Sequence, residues 1–333
     1  MFQNLRNRTR GRPELVPPQT LADSRAIKLS EGQQAVQLLK KLEFKVLRRL
    51  DGFLFGNYSG LFYGPSLDLA EVREYQPGDD VKHIDWNVTA RTDKVHIRQY
   101  REEREILAWL VVDLSPSMQF GTRRVLKSEL AQEFAGLASA VISRQGNKIG
   151  LLAFSDQGLS VVPLSSGRNQ TLRILNTLLG HNSADAKMRL SKVQTNDLAY
   201  ALRHASQTLK RRALVFVLSD FLWAEEDEPG WAAELKRLSF SHDVIAVRLH
   251  DPVEKALPKV GELRLRDPET GEEIWVDTSD KELRKAYKKL IENRNQLFQK
   301  VMKRAHVDVL ELSTHEDIVG PILKFTQQRK ARR

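Results

Sequence analysis

The stretch of sequence that decides the fold is residues 106–121, ILAWLVVDLSPSMQFG. Its first seven residues are all apolar and run directly into Asp113. A short uninterrupted apolar run is typical of a strand buried on both faces, as in the middle of a parallel sheet. Pro116 and the small polar residues around it end such a strand. The stretch therefore predicts a central strand with Asp113 at its carboxyl end.

The loop after this strand carries one carboxylate and two hydroxyls, on Asp113, Ser115 and Ser117. Open α/β sheets bind their ligands at the carboxyl edge of the strands. Oxygen donors of this kind suit a hard cation such as Mg²⁺ better than zinc or copper. Ser and Asp are also favoured as caps of a following helix, so this loop alone leaves a metal site and a helix cap both open.

Composition limits the class of protein. The chain has 333 residues, 41% hydrophobic and 29% charged, which indicates a globular protein rather than a disordered one. It has no cysteine, which excludes disulfides, thiol catalysis and cysteine-based metal sites. No apolar run approaches the roughly 18 residues of a transmembrane helix, and the basic N-terminus lacks the apolar core of a secretory signal. We therefore expect a cytoplasmic protein without a transmembrane segment.

The net charge of +10 is concentrated at the two ends of the chain. Residues 1–50 hold 11 Lys and Arg against 4 Asp and Glu, and residues 324–333 hold 5 basic residues and no acid. Solvated tails are the commoner explanation, and contact with nucleic acid or anionic lipid is the alternative. We predict a basic arm and an amphipathic helix within residues 1–50, with the helix docked on its own domain, and a basic tail over 326–333.

The order of the remaining elements predicts the fold class. Residues 51–105 indicate a small β-rich element with a turn at 76–79. From 106 to 325 strands and helices alternate, which predicts the α/β class with a doubly wound, mostly parallel sheet. A β-hairpin insertion is expected near 258–277. The predicted strands are 106–112, 149–154, 159–163, 213–218, 243–249 and 307–312, and the predicted helices are 122–144, 170–179, 196–210, 229–238, 280–304 and one that ends at Phe325.

Two further oxygen donors occupy equivalent places in this pattern. Asp220 follows the predicted strand 213–218, and Thr195 precedes the predicted helix 196–210. The carboxyl ends of parallel strands lie on one edge of a sheet, so these side chains would meet there. The predicted metal ligands are Asp113, Ser115, Ser117, Thr195 and Asp220.

This pattern resembles a known site. Asp-x-Ser-x-Ser, a later Thr and a strand-end Asp resemble the metal-ion-dependent adhesion site of von Willebrand factor type A domains. Residues 73–91, REYQPGDDVKHIDWNVTAR, together with DLSPSM, resemble the bacterial family called domain of unknown function fifty-eight. The resemblance implies a von Willebrand A-like, Rossmann-like fold.

The resemblance also implies roles for the site residues. It implies that Ser115, Ser117 and Thr195 ligate the ion directly or through water, and that Asp113 and Asp220 hold coordinated waters. The ion would be Mg²⁺, with Mn²⁺ or Ca²⁺ as alternatives, and a partner's carboxylate would fill its open position. The resemblance further implies a MoxR-type AAA+ ATPase as the partner, in chaperone-like or complex-assembly work. A family-specific interface is expected at Arg73, Asp85, Trp86 and Arg91.

The favoured prediction is therefore a metal-dependent protein-binding module that is not an enzyme. One alternative is nucleic-acid or anionic-membrane binding through the basic termini, and of these nucleic acid is not favoured. The other alternative is a metal-dependent hydrolase that acts through Asp113 and Asp220. The sequence has no evident general base, no Gly-x-Ser-x-Gly elbow, no Walker A motif and no His-x-x-x-His pair, which disfavours the hydrolase.

Overall fold

The structure is a computed structural model that describes most of the chain. The described residues are 31–42, 71–77, 79, 81, 84–99, 106–144, 146–156, 158–180, 197–223, 228–266 and 271–332. Residues 1–30 and 43–50 of the predicted N-terminal arm and helix, residues 51–70 of the predicted β-rich element and the predicted ligand Thr195 lie outside them.

The chain order of helices and strands follows the predicted alternation. The helices are α1 (Glu31–Leu42), α2 (Trp86–Thr92), α3 (Lys127–Arg144), α4 (Arg168–Gly180), α5 (Leu198–Thr208), α6 (Trp231–Ser241), α7 (Pro252–Lys255), α8 (Lys281–Arg304) and α9 (Val319–Arg332), with a 3₁₀ turn at Pro116–Gln119. The strands are β1 (Glu71–Glu74), β2 (His96–Gln99), β3 (Leu107–Asp113), β4 (Lys148–Ser155), β5 (Gly158–Ser165), β6 (Leu214–Ser219), β7 (Asp243–His250), β8 (Glu262–Arg266), β9 (Glu273–Asp277) and β10 (Asp308–Ser313).

Six of these strands form the central sheet, in the order β10-β7-β6-β3-β4-β5. All neighbours are parallel except β5, which pairs antiparallel with β4. β3 lies inside the sheet, and all seven of its residues are buried. The predicted central strand and the mostly parallel sheet are thereby confirmed.

Each face of the sheet carries its own hydrophobic core. Side chains of β3 alternate, so that Leu110 and Val112 face one core while Trp109 and Val111 face the other. Helices α1, α3, α4 and α9 contribute to the first core, and α5, α6 and α8 to the second. Helices on both faces explain why the inner strands are apolar without interruption, and they confirm the doubly wound α/β class.

The N-terminal amphipathic helix docks on its own domain, as predicted. Ala35, Leu39 and Leu42 of α1 are buried in the same core as α3 and α4. Within the described ranges, no helix combines the length and the apolar composition that crossing a bilayer requires.

The small β element contains a helix that the sequence analysis did not predict. β1 and β2 pair antiparallel, as expected, with Glu71 opposite Gln99. Between them lies α2, whose N-cap is Asp85: its carboxylate accepts hydrogen bonds from the backbone N–H groups of Asn87 and Val88. The cap satisfies donors that an isolated helix start leaves unpaired, which accounts for a helix in a segment of alternating pattern.

Two helix boundaries differ from the prediction because of tertiary contacts. α3 begins at Lys127 rather than at residue 122, since the backbone N–H of Thr122 donates to Asp251 instead of entering a helix. α9 continues to Arg332 rather than ending at Phe325. Arg329 is 5% exposed and forms ion pairs with Asp243 and Asp308. The expected basic tail is therefore helical up to Arg332, and one of its cations is part of the folded domain.

Candidate functional site

The site lies where β3 and β6 end side by side at the carboxyl edge of the sheet. Val112 pairs with Leu218, so the residues that follow these two positions emerge together. The structure brings together four of the five predicted ligands, Asp113, Ser115, Ser117 and Asp220, through the contacts given below. Thr195 lies outside the described residues.

Asp113 is held in one orientation by two hydrogen bonds. Its Oδ1 accepts from the backbone N–H of Ser115 at 2.9 Å, and its Oδ2 accepts from the hydroxyl of Ser219 at 2.7 Å. The side chain is buried, and burial together with the negative charge of Asp220 raises the pKa of Asp113 to about 6. Two carboxylates that repel one another in this way make a local environment that favours a cation.

A chain of oxygens joins the Asp113 loop to Asp220. The hydroxyls of Ser115 and Ser117 lie 3.1 Å apart, and Ser117 donates to Oδ2 of Asp220 at 2.9 Å. On its other side, Oδ1 of Asp220 accepts from the backbone N–H of Leu222 at 3.2 Å. Phe221, which stands between Asp220 and Leu222 in the sequence, has a φ of 52°, in the left-handed region that is uncommon for residues other than glycine. The chain thus turns sharply after Asp220 and leaves the carboxylate aimed at Ser117.

A buried lysine that the sequence analysis did not single out completes this cluster. Lys127 begins α3, and its side chain is 0% exposed. Its Nζ lies 2.7 Å from Oδ2 of Asp220 and 2.6 Å from Oε1 of Glu254. Burial alone lowers the pKa of Lys127, but the charges of Asp220 and Glu254 outweigh that effect and the pKa is raised. Lys127 is therefore an ammonium ion held between two carboxylates.

The short helix α7, which follows β7, supplies Glu254, the second carboxylate that contacts this lysine. Asp251 caps α7, and Glu254 in turn accepts from the backbone N–H of Asp251 at 2.8 Å, which forms a capping box. Asp251 also accepts from the backbone and the hydroxyl of Thr122 and from the hydroxyl of Thr314. Burial acts to raise the pKa of Asp251, but these hydrogen bonds outweigh it and hold the pKa below its usual range. The Asp251 carboxylate thereby ties the loop before α3 to the ends of β7 and β10.

The donor set fits a hard divalent cation. Ser117 lies within hydrogen-bond distance of both Ser115 and Asp220, and Asp113 is close enough to Asp220 for their charges to interact. Two of these four side chains, Ser115 and Ser117, offer hydroxyl oxygens. Among the described residues there is no cluster of three or more His, Cys, Asp or Glu side chains that could bind a metal ion. Asp220 already forms an ion pair with Lys127, so a cation near these oxygens competes with the lysine for that carboxylate.

Asp251 was not among the predicted site residues, although its position after a strand could have been recognised in the sequence. Asp251 comes directly after β7, as Asp220 comes directly after β6, and Asp113 is the last residue of β3. The rule that singled out those two carboxylates selects Asp251 as well. Lys127 and Glu254 gave no such signal, because a charged residue in a helix is ordinarily a solvated one.

The structure places the four predicted interface residues on the small β element. Arg73 binds both carboxylate oxygens of Asp79, at 2.8 and 2.7 Å, and Asp85 is buried as the cap of α2. Trp86 is 70% exposed, so it is not a core residue, and Arg91 is also exposed. Trp86 and Arg91 therefore present side chains to solvent, while Asp85 serves the local fold.

Comparison with known proteins identifies relatives along most of the chain. Residues 71–296 match the family described as "Protein of unknown function DUF58". An uncharacterized protein of Mycobacterium tuberculosis (strain H37Rv) is 33% identical over 294 residues, which cover 88% of this chain and 89% of the relative. An uncharacterized protein of Mycobacterium avium is 27% identical over 171 residues, covering 51% of this chain and 94% of the relative.

Solved structures with a similar chain path have low sequence identity. The conserved hypothetical protein BatB of Bacteroides thetaiotaomicron superposes with a TM-score of 0.40 at 15% identity, covering 68% of this chain and 98% of that protein. The SpRpn10 VWA domain superposes with a TM-score of 0.35 at 11% identity, covering 66% and 95%. At these TM-scores, neither superposition carries an argument about this chain's site.

Proposed function

We propose that this chain, which belongs to the family of proteins of unknown function DUF58, is a protein-binding module whose sheet edge holds a divalent cation, preferably Mg²⁺. The observation that supports this most directly is the contact of Ser115 with Ser117 and of Ser117 with Asp220 at the ends of adjacent parallel strands. These are oxygen donors brought together from positions distant in sequence.

In this proposal each side chain has a limited task. Ser115, Ser117 and Thr195 hold the cation, while Asp113 and Asp220 fix its coordinated waters. The cation supplies a positive centre with an exchangeable position, which a carboxylate of the partner occupies. The hydrogen bonds from Ser115 and Ser219 keep Asp113 from rotating, so the site keeps its orientation before a partner arrives.

We further propose that the module is not a catalyst. Asp113 accepts hydrogen bonds through both of its oxygens, and Asp220 accepts from Ser117, Leu222 and Lys127. A general base needs an oxygen that reaches the proton it removes. Carboxylates engaged in this way serve better to position groups than to take up protons.

The proposed partner is a MoxR-type AAA+ ATPase, in chaperone-like or complex-assembly work. Its support is the family resemblance of residues 73–91 and of the Asp-x-Ser-x-Ser loop. The exposed Trp86 belongs to that block, and aromatic side chains of this kind are frequent anchors in protein interfaces.

A pull-down with the AAA+ ATPase of the same organism tests the function. The wild-type chain, Asp113→Ala and Glu262→Ala are each compared in Mg²⁺ and in EDTA. Glu262 is an exposed carboxylate on β8 and serves as the charge-matched control. We expect capture by wild type and Glu262→Ala in Mg²⁺ only, and none by Asp113→Ala. If the ATPase is captured equally in EDTA and by Asp113→Ala, the metal-dependent mechanism is contradicted.

A further inference from the structure

Lys127 is the one residue of the cluster whose charge opposes a bound cation. Its side chain is wholly buried, and it contacts the carboxylates of Asp220 and Glu254 at 2.7 and 2.6 Å. The ring of Phe120 lies 5.9 Å from Nζ, within the range of a cation–π contact. A lysine buried to this degree is retained only when it is paired, so its position is determined by these groups.

The formal charges of the cluster show what the lysine changes. Asp113, Asp220 and Glu254 are three anions, and Lys127 is one cation. Two further cations of this region, Arg248 and Lys255, lie 3.8 and 3.3 Å from Glu311 and are counted apart from these four residues. A divalent ion beside Asp113 and Asp220 therefore makes the cluster neutral when Lys127 is present, and leaves it negative when Lys127 is absent.

These charges have opposite consequences for the ion and for an acidic partner. The ammonium repels a dication, and it contacts the Asp220 carboxylate that is proposed to hold a coordinated water of that ion, so both effects weaken ion binding. The same ammonium removes the excess negative charge that would repel an incoming carboxylate from the loaded site. We infer that Lys127 is a fixed counter-charge that lowers the affinity of the site for its divalent ion and raises the affinity of the loaded site for a partner's carboxylate.

This inference rests on the metal-holding role proposed above, and its test measures the two affinities separately. Mn²⁺ binding at neutral pH is followed by electron paramagnetic resonance, with acetate as the carboxylate probe on the loaded protein and chloride as the ionic-strength control. Wild type is compared with Lys127→Met and with Lys127→Arg, which retains the charge. We expect Lys127→Met to bind Mn²⁺ about tenfold more tightly and acetate about fivefold more weakly. Lys127→Arg should stay near wild type.

A merely structural role for the lysine produces a different pattern. Loss of packing or of fold weakens both affinities together, whereas the inference requires them to change in opposite directions. Unchanged Mn²⁺ and acetate affinities in Lys127→Met overturn the inference and leave the metal-dependent function standing. Absence of Mn²⁺ binding in both wild type and Lys127→Met overturns the proposed function along with it.

Glu254→Gln provides a second route if Lys127→Met does not fold. It removes one of the two carboxylates that hold the lysine, so the ammonium acts more fully on Asp220. We expect Mn²⁺ to bind Glu254→Gln about tenfold more weakly than wild type, the reverse of Lys127→Met. Equal affinity in Glu254→Gln and wild type contradicts the charge-balance role of Lys127.

Discussion

Ser117 donates a hydrogen bond of 2.9 Å to Asp220, although 103 positions separate the two residues in sequence. The contact exists because β3 and β6 are neighbours in a parallel sheet and end at the same level. This hydrogen bond joins the Asp-x-Ser-x-Ser loop after β3 to the Asp220 loop after β6.

Replacing Ser117 tests whether this link belongs to a metal site. We expect Ser117→Ala to weaken Mn²⁺ binding by about tenfold or more, because it removes an oxygen donor and loosens Asp220. The matched control is Ser206→Ala, since the contact of the Ser206 hydroxyl among the described residues is a hydrogen bond to the carbonyl of Leu202 within α5. Isothermal titration calorimetry with Mn²⁺ checks both variants. Equal affinities in the two would contradict a metal-binding role for Ser117.

Removing the Asp251 carboxylate should destabilise the fold strongly. Asp251 is 0% exposed, and its oxygens accept from Thr122, Val253 and Thr314. Asp251→Ala leaves these donors without their charged acceptor, so we expect a loss of at least about 3 kcal/mol in the free energy of unfolding. Urea denaturation measures it. Asp280→Ala, at the less buried N-cap of α8, is expected to cost about 1 kcal/mol and provides the comparison.

The C-terminal helix depends on one buried guanidinium. Arg329 lies 2.5 Å from Asp243 and 3.0 Å from Asp308. Arg329→Met leaves both carboxylates without this partner, so we expect the free energy of unfolding to fall by about 3 to 5 kcal/mol. Lys324→Met, at an exposed position of the same helix, should change it by no more than about 0.5 kcal/mol. Similar unfolding midpoints for the two variants would show that α9 does not need the ion pairs.

Acid should destabilise the fold through His250. Burial, with the nearby positive charges of Lys255 and Arg248, lowers the pKa of His250 to about 4 from its usual 6.5. Below the pKa of the unfolded state, the unfolded chain binds a proton at this histidine that the folded chain does not, so the contribution of His250 to the free energy of unfolding falls as the pH decreases from about 6.5 to about 4. The raised pKa of Asp113 acts in the opposite direction below about 6, so the contribution of His250 is the difference between wild type and a His250 variant. The slope amounts to as much as about 1.4 kcal/mol per pH unit.

The control for this pH dependence is a histidine on the surface. Relative to wild type, His250→Gln should gain free energy of unfolding as the pH decreases over that range, measured by urea denaturation of both proteins at several pH values. His306→Asn, at an exposed position with a φ of 53° that Asn tolerates, should retain the wild-type fall. A pH profile that His250→Gln leaves unchanged would rule out His250 as a contributor.

The strands were predictable because their signal is local. The apolar runs at 106–112 and 213–218 became β3 and β6, since a strand covered on both faces buries every residue of such a short run. The helix starts were less predictable, because Thr122 could extend a helix or bind Asp251. The choice depended on a carboxylate from β7 that no pattern in the neighbourhood of Thr122 contains.

The candidate site shows the same division. The positions of Asp113 and Asp220 followed from a rule about strand ends, which needs no knowledge of contacts. Lys127 did not follow from any rule, because a lysine near the start of a helix rich in Ala and Glu is ordinarily exposed. It is buried here because two carboxylates meet at that helix end, Asp220 from the loop after β6 and Glu254 from α7.

The sequence by itself determined the α/β class, the central strand and the arrival of Asp113, Ser115, Ser117 and Asp220 at one edge of the sheet, because hydrophobic periodicity and strand-end chemistry are properties of neighbouring residues. Only the tertiary structure decided the charge of that edge, through the pairing of Lys127 with Asp220 and Glu254. Electrostatic interactions depend on distance in space, and residues remote in sequence set that distance when the sheet forms.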